Sequence, residues 1–240
     1  MISPTMPSAR SVKEALVSRA PADSPPHPSR LRRFALPAVV ALTASFAAVV
    51  ATNAPAEAYP PEPPDPATSL AHLQAITEAG EGSMDGYDRD LFPHWITIEG
   101  SCDTRETVLQ RDGTGVTTGS DCYPTSGDWY SVYDQVWISE PSDVSIDHIV
   151  ALAEAWRSGA SGWSTDQRQD FANDLEHAQL IAVSVSSNSS KGDNDPSEWT
   201  PPNTGMWCVY AREWIDVKYV YGLTMDAPEK AALEDMLGTC

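Results

Sequence analysis

The chain has 240 residues, with 34 acidic against 15 basic side chains, a formal charge of −19 and 41% hydrophobic content. The acidity excludes the basic-patch mode of nucleic-acid binding, in which long-range attraction to a polyanion supplies much of the affinity.

Arg30, Arg32 and Arg33 precede Phe34 to Val50, a run without a charged residue, and Ala56-Glu57-Ala58 fits the small-x-small pattern of a cleavage site. Residues 1–58 are therefore expected to be an export signal, and the mature chain to start at Tyr59. A retained anchor is the rival reading, but the run falls short of the about 20 apolar residues that a span needs. Six of the 15 basic and three of the 34 acidic residues precede Tyr59, so the remainder carries −22. The remaining 182 of 240 residues suffice for one domain. Residues 59–85 are expected to form a linker and a short helix, with Tyr59 to Thr68 proline-rich and extended, and residues 86–240 a single domain.

Along that domain, Ser69 to Ala79 places Leu73 and Ile76 on one helical face. Asp103 with Glu106 has capping-box spacing at the start of a helix that runs to Gln110. Gly113 to Gly127, rich in Gly, Thr and Ser, reads as turns, and Trp129 to Ile138 as strands. An apolar run then ends on Asp147-His148. Helices follow at Val150 to Arg157 and from Ser164, whose partner Gln167 completes a second capping pair, to about Leu175. Gln179 to Val185 reads as a strand, Ser186 to Asn194 as a polar turn and Pro196 to Pro202 as a rigid connector. Two helices close the chain. Trp207, Tyr210, Trp214, Val217 and Tyr221 share one face of the first, and Asp226 caps the second.

Cys102, Cys122, Cys208 and Cys240 form an even set, which in an exported chain predicts two disulfides. Three connectivities are open; local closure favours Cys102 with Cys122 and Cys208 with Cys240, each stabilising by roughly 3 kcal/mol. The absence of any Cys-x-x-Cys argues against zinc.

The chemistry concentrates on Asp147-His148 and the later Ser187-Asn-Ser-Ser-Lys-Gly-Asp193. Hydrolysing a phosphodiester requires a deprotonated water, a counter-charge for the phosphorane and help for the leaving alkoxide. His148 suits the base, because an imidazole with a reference pKa near 6.5 is largely neutral at pH 7. Asp147 and the side-chain oxygen of Asn188 are hard ligands suited to Mg2+, Mn2+ or Ca2+. Both must reach one ion at roughly 2.1 Å, so their oxygens are expected within about 5 Å of one another. Adjacent strand residues point to opposite sides, so the strand is expected to end or bend at the pair.

Asp147-His-Ile-Val-Ala-Leu-Ala-Glu-Ala-Trp156, Phe171-Ala-Asn-Asp-Leu175, Gln179-Leu-Ile-Ala-Val183, Asn188-x-x-Lys-Gly-Asp193 and Asp195-Pro196 resemble the secreted actinobacterial HNH endonucleases of the His-Me finger, or ββα-metal, superfamily. Cys102-Asp-Thr-Arg105, Trp214-Ile-x-Val-Lys218 and Tyr221-Gly-Leu223 extend the likeness. The resemblance implies an α+β fold with a ββα-metal core, flanking helices and two disulfides. It implies an exported, metal-dependent endonuclease with His148 as general base and Asp147 and Asn188 holding one divalent cation, Mg2+ first. Gln179 takes the middle position and supports the loop that carries the base. Lys191 and Arg105 are the cations expected at the scissile phosphate, with Arg157 and Arg168 as further contacts, and His177 carries no catalytic expectation. The expected substrate is DNA, and RNA as a second one, cut with little sequence preference by a monomer free of the membrane once its signal is removed; an inhibitor protein is unreadable. Two other classes share the residues: a calcium-binding module built on Asp193, Asp195 and Glu198, and a phosphodiesterase for small phosphodiesters.

Overall fold

A computed structural model describes residues 60–240. The expected export signal at 1–58 lies outside the described residues, and no helix among the described ones is long and apolar enough to cross a membrane. The described residues form a mixed α and β structure of seven α-helices and three small sheets, tied by two disulfides, Cys102–Cys122 and Cys208–Cys240.

The first helix, α1 (Pro66–Ala75), starts earlier than apolar spacing indicates, because Asp65 caps it and Pro66 presets the first helical φ. Ile76 is its C-cap rather than an interior residue, and Thr68 lies within the helix instead of a linker. The preceding prolines are docked: the Arg212 guanidinium donates to the carbonyls of Pro63 and Pro64 at 2.7 and 2.6 Å.

Strands β1 (Thr97–Glu99) and β2 (Cys102–Asp103) pair antiparallel and lead into α2 (Thr104–Asp112). Asp103 and Glu106 cap this helix reciprocally, as their spacing predicts. The expectation of turns over 113–127 is corrected. Gly113–Thr118 is strand β3, paired with β4 (Pro124–Ser131), which pairs in turn with β5 (Val136–Ile138). Gly and Thr hold β3 because its partner supplies the ladder, and Trp129 seals the inner face with its indole donating to the Leu109 carbonyl.

The element that positions the site is a separate pair. Strand β6 (Val144–His148) runs antiparallel to β7 (Leu180–Ser184), in unbroken register from Val144 opposite Ser184 to His148 opposite Leu180. Between them lie α3 (Leu152–Arg157) and α4 (Thr165–Ala172), the latter capped by Ser164 and Gln167. Past β7 the chain corrects the expected polar turn at 186–194: Val185–Lys191 is helix α5, started by the Ser184 hydroxyl, which accepts from Ser187 N. The edge of β7 is covered by α2, whose Asp112 carboxylate accepts from Ala182 N at 2.8 Å.

Helices α6 (Trp207–Val220) and α7 (Ala227–Leu237) pack the buried Tyr210, Trp214, Val217, Leu233 and Met236 into the main core. Lys218, fully buried on α6, donates to Glu154, Ser158 and Glu229, so the polar residues of α3, α6 and α7 close on one ammonium.

Candidate active site

Strand β6 ends at His148, and its regular pleat sends the two residues of the pair to opposite sides. On one side α5 lies against Ser145 and Asp147. Both carboxylate oxygens of Asp147 are occupied: Lys191 Nζ donates to one at 2.9 Å and the Tyr133 hydroxyl to the other at 2.8 Å. Burial pushes the Tyr133 phenol far up, so it remains a donor. Burial also pushes the Asp147 carboxyl up, against the opposing pull of Lys191 and Tyr133.

Lys191, expected at a phosphate, is instead wholly buried, bonded to Asp147 and to the His148 carbonyl at 2.8 Å. One turn earlier on α5, Asn188 donates from Nδ2 to Ser145 Oγ at 2.6 Å rather than approaching Asp147. Ser145 and Asp147 are two residues apart on one strand face, roughly 7 Å, so the two expected ligands share a face without converging on a point. The Asn188 side-chain oxygen accepts no hydrogen bond among the described residues.

On the opposite side His148 is 4% exposed, beneath Trp95 with the ring centroids 5.6 Å apart. Its Nε2 lies 3.0 Å from the Ala172 carbonyl. A carbonyl only accepts, so Nε2 carries the proton. Burial, with smaller contributions from the charges of Arg89, Lys191 and His94 and against the Ala172 bond, lowers the imidazole pKa to about 3. The neutral ring therefore presents its lone pair at Nδ1, which makes no hydrogen bond among the described residues.

The depressed pKa makes a stability prediction. Below about pH 6.5 the unfolded chain takes up a proton at this position and the folded chain does not, so stability falls as pH drops from 6.5 toward 3. Glu229, whose pKa burial raises to about 7, acts in the opposite sense, and its contribution is lost as pH rises toward 7. Comparison with His148→Gln isolates the imidazole. Between pH 7 and pH 5, denaturant titrations should show wild type losing about 2 kcal/mol relative to that variant; a pH-independent difference would rule out a neutral buried histidine.

The supporting residues hold the loop past the base. Gln179, fully buried, accepts from Val150 N at 3.1 Å and donates to Val150 O at 2.9 Å. Next to Ala172, Asn173 donates to the Pro93 carbonyl and accepts from Ile96 N and the Thr104 hydroxyl, so it fixes the loop that carries Trp95. Trp95 adopts φ +58, a left-handed conformation costly for an aromatic residue and concentrated at functional sites in proteins. Sequence reasoning missed Tyr133, Trp95 and Asn173 as site residues; only Asn173 stood in a quoted motif.

Other expected contacts lie elsewhere. Arg105 donates to the Val144 carbonyl at 2.9 Å, at the far end of β6 and roughly 13 Å along the strand from His148. Arg157 is engaged by Glu81, Glu154 and Asp193, and Arg168 is buried against the Leu91 and Ala160 carbonyls. His177 pairs with Asp174. Of the carboxylates that motivate a calcium module, Asp195 joins Asp226 and Glu229, with ligand atoms within 4.8 Å of one another, while Asp193 pairs with Arg157 and Glu198 is exposed. Glu229 in that cluster already accepts from Lys218 and from the Trp214 indole.

Comparison with known proteins supplies two matches. The family of the C-terminal domain of GmrSD restriction endonucleases matches residues 110–235. An uncharacterized secreted protein of Arthroderma benhamiae is 52% identical over 196 residues, covering 82% of this chain and 96% of that protein. No solved structure matches the chain at a significant level.

Proposed function

Because the chain belongs to the family of the C-terminal domain of GmrSD restriction endonucleases, we propose that it is a metal-dependent endonuclease of the HNH type, hydrolysing phosphodiester bonds of DNA, and of RNA as a second substrate, with His148 as its general base. It is a secreted protein, as its 52% identical relative is. The observation that carries the reading is the bond from His148 Nε2 to the Ala172 carbonyl, which fixes the proton on Nε2 and so leaves the lone pair at Nδ1 in the ring that burial keeps neutral.

From there the residues divide the work. Ala172 fixes the ring from behind, Trp95 covers it against bulk water, and Gln179 holds the backbone beyond it by both amide atoms. Nδ1 takes the proton of the attacking water, a contribution worth roughly 10²–10⁴-fold. A base of pKa about 3 is weak, yet wholly unprotonated at neutral pH, so the rate should be flat with respect to this group from pH 5 to 8.

Asp147 and Asn188 offer the oxygens that a hard divalent cation takes, but both Asp147 oxygens are bonded and Asn188 is turned to Ser145, so the two would hold one ion only if Asp147 left Lys191 and Tyr133. When bound, such an ion supplies the counter-charge for the phosphorane and the leaving alkoxide.

Supercoiled DNA incubated with Mg2+ or Mn2+ should be nicked and linearised, EDTA should abolish this, and Asn188→Ala should raise the metal concentration needed by about tenfold or more. Full cleavage in EDTA would overturn the metal; no turnover of DNA, RNA or small phosphodiesters with any divalent ion would overturn the hydrolase. Contacts to phosphate rather than to base edges imply little sequence preference.

A further inference from the structure

A strongly acidic protein acting on a polyanion needs a positive group free to meet phosphate beside the base. Nearly all the basic side chains among the described residues are engaged. Arg111, Arg157, Lys191, Arg212, Lys218 and Lys230 each face a carboxylate, and Arg105 and Arg168 donate to backbone carbonyls. Arg89 differs: it is exposed, and its guanidinium makes no hydrogen bond or ion pair among the described residues.

Its mount leads to the base. Arg89 opens the 3-10 turn Arg89–Leu91, capped by Asp88 and followed by the fully buried Phe92. The Leu91 carbonyl accepts from Arg168 Nε at 2.9 Å and the Pro93 carbonyl from Asn173 Nδ2 at 2.7 Å. His94 and Trp95 continue the segment, their rings 5.4 Å apart, and Trp95 lies over the imidazole. Two consecutive residues, Ala172 and Asn173, therefore fix both the base and the segment that carries Arg89. The guanidinium also lies within electrostatic range of His148.

We infer that Arg89, held on the pinned segment 89–96, is the phosphate-binding cation of the substrate site, contacting a backbone phosphate next to the bond that His148 attacks. This rests on the reading of His148 as the base. A planar guanidinium pairs two N–H groups with two phosphate oxygens, which an isolated lysine does not reproduce. A single such contact also explains how a protein of this charge engages DNA: locally, without a basic surface.

Binding and turnover are measured separately. In the His148→Ala background, the Kd for a short DNA duplex is measured by fluorescence anisotropy across salt concentrations, with Arg89→Gln and Lys230→Gln compared. Removing the phosphate contact should weaken binding about tenfold and lower the slope of log K against log salt by about 0.9, with Lys230→Gln changing neither and Arg89→Lys restoring part. Equal slopes and affinities for Arg89→Gln and Lys230→Gln would overturn the assignment. Undiminished cleavage by His148→Ala alone would instead remove the base, and the binding slopes would still judge Arg89.

Discussion

Replacing Lys191 by methionine should destabilise the protein by roughly 3–5 kcal/mol, the range expected when one partner of a buried ion pair is removed. The ammonium is fully buried, bonded to the Asp147 carboxylate and the His148 carbonyl, and lies 5.8 Å from the Trp214 ring centroid. Methionine fills the volume and leaves a carboxylate and a carbonyl without their donor. Adding Asp147→Asn should recover a large part of the loss, since the amide is neutral and still accepts from Tyr133. Urea denaturation with the disulfides intact, fitted for wild type and both variants, reads both effects. A lysine that contacts substrate phosphate would show the reverse pattern, with stability within about 0.5 kcal/mol of wild type and only activity lost.

Turnover should fall by roughly 10²–10⁴-fold in His148→Ala, while the metal dependence of what remains is unchanged. The imidazole and the Asp147–Asn188 face lie on opposite sides of β6, so removing the ring leaves the proposed ligands in place. Single-turnover cleavage of supercoiled DNA at several Mg2+ concentrations tests both halves. A rate within threefold of wild type would remove His148 as the base, and a large shift in metal requirement would mean that the ring supports the metal rather than the water. Alanine also opens space beneath Trp95, so His148→Gln, with a buried polar side chain but no comparable base, serves as the control for folding.

The features legible in the sequence were those that depend on neighbours three or four residues away. Asp103 with Glu106, Ser164 with Gln167, and Asp226 cap helices as their spacing predicts. The strand that ends on the Asp-His pair, the aromatic face of α6 and the favoured disulfide pairs also stand. Strand β3 and helix α5 were misread for one reason: Gly-Thr and Ser-Asn stretches carry little intrinsic preference for either state. Partners distant in sequence decide them, β4 for the strand and the face of β6 for the helix.

The sequence by itself determined which residues are candidates for the site, Asp147, His148 and Asn188, and the acidity of the chain, because residue types and short-range capping are properties of neighbouring residues. Tertiary structure alone decided what each charge faces: Lys191 turned inward to Asp147, Arg105 set at the wrong end of β6, and Arg89 left without a partner among the described residues. A charge is neutralised by whatever group folding brings within about 4 Å of it, and for Lys191 that group lies 44 residues away in sequence.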